Sequence, residues 1–375
     1  MAIAEEKRVA PLELFFDLVF VFAITQVTAL MANDPDWDGL GRGMLVLAAL
    51  WWAWAAFAWL TNYVAAEEDR ERLLMLAVMG AFLVTALAAP DAFGEHALLF
   101  AVAYAAARWL HIFIFAEANE DIDARMAIQR LARTAVPAPA LLIAAAFLDG
   151  TAQTLVWVLA LSTDFLGPFV FGVRGFRVSP GHFAERFSLI VIIALGESIV
   201  AIGTGLHELD AGTLAAALLG LVLTFGIWWA YFDVVAVVAE RHFREARGER
   251  RLRIARDSYS YLHLPMIAGI VLMALGMKKT LGHVDEPLDT VPSVALFGGV
   301  ALYYAGHLAF RLRNVRTLNR PRLVALLVCL ALIPVGTEVN ALVALTLACV
   351  VTSAVIAYEA IRYAEARGRV RHQTP

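Results

Sequence analysis

Twelve apolar runs, most of them long enough to cross a bilayer as a helix, follow one another through the chain, with charged residues gathered between them. They occupy positions 12–31, 43–64, 73–89, 97–117, 133–149, 152–172, 184–205, 212–237, 258–277, 291–311, 322–336 and 340–361. Backbone that enters lipid must satisfy its own hydrogen bonds, and apolar runs of this length do so as helices. The expected fold class is therefore all-α, a polytopic membrane protein of about 12 transmembrane helices. Composition agrees: 61% of residues are hydrophobic and 17% are charged, against about 25% charged in soluble domains. No room remains for a sizeable soluble domain. The first run carries Glu13 and Asp17 and leads into Asn33-Asp34-Pro35 without a small-residue cleavage pattern, so no cleavable signal peptide is expected.

Charge placement orients the spans. If the N-terminus is cytoplasmic, 26 of the 30 Lys and Arg residues fall on cytoplasmic segments, among them Lys7, Arg8, seven arginines from Arg241 to Arg256, five from Arg311 to Arg322 and four from Arg362 to Arg371. Only Arg42, Lys278 and Lys279 fall outside, and Arg108 lies within a span. This alternation supports twelve spans with both ends cytoplasmic. The outer turns, NDPDWDG, PDAFGEH, LDGTAQ, HELDAG and HVDEPLD, are acidic and rich in turn formers. The chain divides accordingly into an N-terminal six-helix half (1–172), two helices opening the C-terminal half (173–239), a basic cytoplasmic connection (240–257) and four remaining helices with a basic tail (258–375). The arginine-rich connection reads as an orientation signal and surface helix that meets anionic headgroups. It is short and stands alone, so nucleic acid is not an expected partner; membrane lipids are.

The halves align weakly as two parallel six-helix repeats. ELFFDLVFVFAITQV from Glu13 lies over ERFSLIVIIALGESIV from Glu185, Trp51-Trp52 corresponds to Trp228-Trp229, and Tyr104 to Tyr304. An even number of spans per half implies an axis along the membrane normal, as in alternating-access transporters.

Ionisable residues inside the spans are the candidate site, because each is costly unless compensated. Glu13 and Asp17 are four apart on one helical face. They are suited to carry a proton or hold a cation, or else to reach the headgroups or pair with Arg8 or Arg186. Glu197 lies about 12 residues into its span, close to mid-bilayer at ~1.5 Å per residue. Arg108 and His111 share a face of the fourth span, and Arg108 at that depth needs a carboxylate. The expected partner is Glu197, with Asp164 or Ser198 nearby, as either a switch in a transport cycle or a permanent strut. His182, Glu185 and Arg186 cluster before the seventh span, either as a gate that contacts Glu13 or as a capped helix start. His263 and His307 read as hydrogen-bonded core residues, the aromatic run Trp51 to Trp59 as core or interface belt, and Cys329 and Cys349 as small core residues.

No nucleotide-binding glycine loop, nucleophile elbow or metal-ligand spacing is present, so no cofactor and no metal site is expected. Two long motifs carry a resemblance. PLELFFDLVFVFAITQV (Pro11 to Val27) and HFAERFSLIVIIALGES (His182 to Ser198) resemble the bacterial low temperature requirement A family, and the resemblance runs from about residue 8 to residue 360. Glu13, Phe15, Phe16 and Asp17 match its first motif; His182, Glu185, Arg186, Gly196 and Glu197 match its second. The resemblance implies a multispanning inner-membrane protein tied to growth in the cold, and brings no catalytic residue with it. From the buried charges, the expected function is a secondary transporter of a small solute, coupled to protons. The alternatives are a membrane enzyme acting on a lipid or isoprenoid through Glu13, His182 and Glu185, and a non-catalytic stress-adaptation factor.

Overall fold

The computed structural model describes residues 9–63, 69–118, 121–206, 208–365 and 368. Lys7, Arg8, His207, Arg367, Arg369 and Arg371, which entered the reading of loop charge, lie outside the described residues. Among the described residues there is no strand, only an isolated bridge between Pro287 and Asn340. The helices are α1 (Pro11–Asn33), α2 (Trp37–Leu60), α3 (Asp69–Ala88), α4 (Ala97–Glu117), α5 (Ile122–Ala135), α6 (Pro137–Ala145), α7 (Gly150–Val170) and α8 (Pro180–Gly205). There follow α9 (Ala211–Phe232), α10 (Val235–Glu245), α11 (Gly248–Ile254), α12 (His263–Gly282), α13 (Thr290–Ser293), α14 (Gly299–Val315), α15 (Arg320–Gly336) and α16 (Ala341–Arg362). Wide π-helical stretches, Ala255–Tyr261 and Val294–Gly298, lead into α12 and α14.

Among the described residues, ten helical stretches are long and apolar enough to cross a membrane. Two of the twelve expected spans, 133–149 and 322–336, are not among these ten. Over 133–149 the chain is broken at Val136 by the prolines that follow, leaving α6 with nine residues. At ~1.5 Å per residue that covers about half of a bilayer core. Over 322–336 stands α15, 17 residues long with Pro334 inside it. The arginine-rich connection is helical, as expected: α10 and α11 carry it, with Gly248, the first residue of α11, at a φ of 53°.

Helix starts follow local chemistry. Pro11 opens α1, where a missing N–H costs nothing. Asp210 caps α9, its side chain accepting from the Thr213 N–H while the Thr213 hydroxyl accepts from the Asp210 N–H. The backbone N–H of Thr213 holds the Asp210 carboxyl below the usual carboxylate range. Asn319 and Asn340 cap α15 and α16 in the same way, accepting from Arg322 and Val343.

Two compact units result. One comprises Met1–Asp34, Asp38–Phe187 and Ala246–Arg256; the other comprises Pro35–Trp37, Ser188–Glu245 and Asp257–Pro375, so the division falls within α8. In the first unit α3 packs on α1 and α4, and α6 on α4 and α7. Its centre is aromatic: Phe16, Phe57 and Phe82 meet on one side, and Trp51 and Trp54 meet Phe187 on the other.

In the second unit α12 packs along α14, and α9 along α16. The α12–α14 contact is backbone against backbone. A Cβ placed on Gly269 would stand 2.6 Å from the Gly299 carbonyl oxygen, and one on Gly299 would stand 2.5 Å from the Met273 nitrogen. Small residues are what allow helices to approach this closely. Gly299→Leu is expected to force the pair apart and lower stability by about 1–3 kcal/mol, as overpacking does. Thermal unfolding in a mild detergent checks this; an unchanged midpoint would refute the close contact.

Candidate functional site

The first unit brings two charged clusters into its interior. In one, α1 presents Glu13 and Asp17 from successive turns, and the first turns of α8 present His182 and Arg186 with the same spacing. The four residues are at most 1% exposed. Arg186 donates from Nη1 to Glu13 Oε2 and from Nη2 to Asp17 Oδ1, both at 2.8 Å. His182 Nε2 lies 2.9 Å from Glu13 Oε2, and the Trp54 indole N–H donates to Asp17 Oδ1 at 2.9 Å. The Arg186 guanidinium also lies 5.7 Å from the centre of the Trp54 ring, within cation–π range. Three polar atoms of the cluster, Asp17 Oδ2, Arg186 Nε and His182 Nδ1, have no hydrogen-bond partner among the described residues.

Of the arginines considered as partners for Glu13 and Asp17, Arg186 is the one that meets both, and the contact is buried; Arg8 lies outside the described residues. Of the residues expected to form a gate, His182 and Arg186 reach Glu13, whereas Glu185 is exposed. The alignment of the halves matched Glu13 with Glu185, and Trp51-Trp52 with Trp228-Trp229. In each match the first member is buried and the second is exposed, Trp228 by 42% and Trp229 by 39%.

The second cluster joins α4 to α7. Arg108 is fully buried and donates from Nη2 to Asp164 Oδ2 at 2.7 Å. The sequence led us to expect Glu197 as its partner, with Asp164 nearby; the carboxylate that meets Arg108 is Asp164. The pair has one hydrogen bond rather than a two-bond fork, leaving Arg108 Nε and Nη1 and Asp164 Oδ1 without partners among the described residues. One turn on, His111 Nε2 lies 3.0 Å from the Ala56 carbonyl oxygen, and the Tyr104 hydroxyl donates to the Ala49 carbonyl. Glu197 and Ser198 belong to the second unit, and both are buried. The Ser198 hydroxyl has no partner among the described residues.

Trp54 is the member of this cluster that sequence reasoning missed, because it sits in a run that reads as an aromatic belt. A signal existed: a buried indole N–H needs an acceptor, and Asp17 is one. In the second unit His263 is a hydrogen-bonded core residue as expected, its Nδ1 3.0 Å from the Ser258 carbonyl oxygen and its Nε2 2.9 Å from the Tyr231 hydroxyl. Arg322 and Glu359 were overlooked. They form a two-bond pair with both distances at 2.9 Å, and Glu359 could have been found by asking of the last span what was asked of the seventh. Among the described residues no three His, Cys, Asp or Glu side chains converge as metal ligands.

The geometry concentrates on the two motifs singled out in the sequence, and comparison with known proteins agrees. Residues 8–357 match the model of the bacterial low temperature requirement A protein (LtrA). An uncharacterized protein of Rhizobium meliloti (strain 1021) is 31% identical over 308 residues, covering 78% of this chain and 75% of that protein. No solved structure matches. With the family match running over nearly the whole length and both motifs meeting in one buried cluster, the chain belongs to the bacterial low temperature requirement A family.

Proposed function

We propose that the protein is a secondary transporter of a small solute coupled to protons, with Glu13, Asp17, His182 and Arg186 as the proton-carrying group. A charge count supports this reading. Two carboxylates share one permanent cation, Arg186, while His182 adds a positive charge only when protonated. The cluster is therefore one charge negative until it takes up a proton, on the imidazole or on a carboxylate. An odd charge in a buried site is costly, so the site favours binding one proton or one cation. Asp17 Oδ2, which has no hydrogen-bond partner among the described residues, offers a place for it. The unused donors of Arg108 and the unused oxygen of Asp164 are groups that a polar solute would satisfy.

The proposal includes twelve crossings in the bacterial inner membrane with both ends cytoplasmic, α6 and α15 being the short members. What supports this is the 26-to-3 partition of basic residues between alternate connections. A six-plus-six duplication belongs to the same proposal and rests on the alignment of the two motif segments.

Proton movement into proteoliposomes under an imposed pH gradient tests the reading. Wild type is expected to carry protons, and D17N and E13Q to lose flux on the order of 100-fold, the scale of a positioned proton-transfer group. E197Q is the parallel test for the second unit. Undiminished flux in folded D17N and E13Q would overturn the proposal. A second reading, a membrane enzyme, draws on one contact: the hydrogen bond between His182 and Glu13 has the form of a general base with its orienting carboxylate. Its mark would be a modified lipid or isoprenoid product without solute movement.

A further inference from the structure

The second unit holds a cavity of about 480 Å³ between the ends of α9, α14 and α16 and the connection from α14 to α15. That size falls within the roughly 300–1,000 Å³ of small-molecule sites. Three arginines line it, Arg311, Arg320 and Arg322, against two carboxylates, Asp233 and Glu359. Glu359 is engaged on both oxygens by Arg322. The lining thus carries an excess of positive charge.

Its buried polar atoms point to the same class of ligand. Arg322 Nη1 lies 2.9 Å from His307 Nδ1, and a guanidinium can only donate, so Nδ1 accepts and the imidazole proton resides on Nε2. His307 is 2% exposed and lines the cavity, yet its Nε2 has no partner among the described residues. Asn314 repeats the pattern. Its Oδ1 accepts from the Ser258 hydroxyl at 2.7 Å, which leaves the Nδ2 amide as an unpartnered donor on the same cavity. A buried donor without an acceptor is costly, and here two of them stand beside surplus arginine charge. The missing partner is an acceptor, and an anionic one. Trp229, Val238 and Phe310 give part of the remaining wall an apolar surface, beside Asn319, Tyr358 and Tyr363, so an apolar part of the ligand has a place to lie.

We propose that this cavity binds a phosphate-bearing anion, which accepts hydrogen bonds from His307 Nε2 and Asn314 Nδ2 and is held by Arg311 and Arg320. The inference does not depend on the transport reading, since it uses none of the residues of the Glu13 cluster. Phosphate of this kind has two sources, a phospholipid headgroup or a soluble phosphate ester.

The test titrates purified full-length protein in a neutral detergent with short-chain phosphatidylglycerol, with inorganic phosphate and with phosphatidylcholine, reading the thermal unfolding midpoint. Saturable stabilisation by phosphatidylglycerol alone identifies a lipid headgroup site; stabilisation by inorganic phosphate as well identifies a site that soluble phosphate fills. The R311A/R320A variant removes two exposed side chains and so keeps the fold; it is expected to weaken binding about tenfold or more. R316A, at the same connection but outside the cavity lining, is expected to bind as wild type does. The proposal is overturned by the absence of saturable stabilisation, by equal effects of phosphatidylcholine and phosphatidylglycerol, or by equal affinities of R311A/R320A and R316A.

Discussion

Arg186→Leu is expected to destabilise the protein by about 3–5 kcal/mol, because it leaves two carboxylates buried and facing each other without their common cation. Most of that cost comes from the charges left behind rather than from the bonds removed. The triple variant R186L/E13Q/D17N, which has no unpaired charge, is therefore expected to be more stable than R186L alone. Thermal unfolding in detergent and the yield of folded protein in the membrane measure both. If R186L unfolds where wild type does, the cluster is not a buried ion-pair network. The same variants bear on transport from the other side: the triple variant keeps the fold but has lost the odd charge, so it should carry no protons.

The second large effect is expected at Arg108. Arg108→Met leaves Asp164 buried without its cation and should cost a similar ~3–5 kcal/mol, while R108M/D164L should recover most of the loss. The double variant also separates the two roles left open for this pair. A strut can be replaced by apolar packing with function intact. A switch or solute-binding group cannot, so a stable R108M/D164L protein that no longer transports would mark Arg108 and Asp164 as functional. A stable protein with full transport would mark them as structural, and a double variant no more stable than R108M would show that the two residues are not coupled in the way their 2.7 Å contact implies.

Much of the candidate site was legible because the energetic argument is local. A carboxylate or guanidinium within an apolar run is expensive whatever surrounds it, and that alone singled out Glu13, Asp17, Arg108, Asp164 and Glu197. The i, i+4 spacing of Glu13 with Asp17, and of His182 with Arg186, also showed that each pair shares a helix face. Partners were harder. Asp164 and Glu197 were both at a depth that suited Arg108, and depth along a helix says nothing about the direction its face points. Trp54 was hidden because an indole in an aromatic run has the same sequence signature whether its N–H meets a carboxylate, a headgroup or water.

The two short spans were hidden for a different reason. Hydropathy averages over a window and does not register that Pro137 and Pro139 divide an apolar run between two helices, α5 and the nine-residue α6; the geometry of the backbone does. Class, helical content and the cost of the buried charges follow from composition and from the chemistry of single residues, and the sequence determined these by itself. Which carboxylate neutralises which arginine, whether His307 is satisfied or left with a free donor, and where a cavity remains depend on how helices distant in the chain are rotated against one another. Those rotations are set by side-chain packing and by close contacts such as Gly269 on Gly299, and only the tertiary structure decided them.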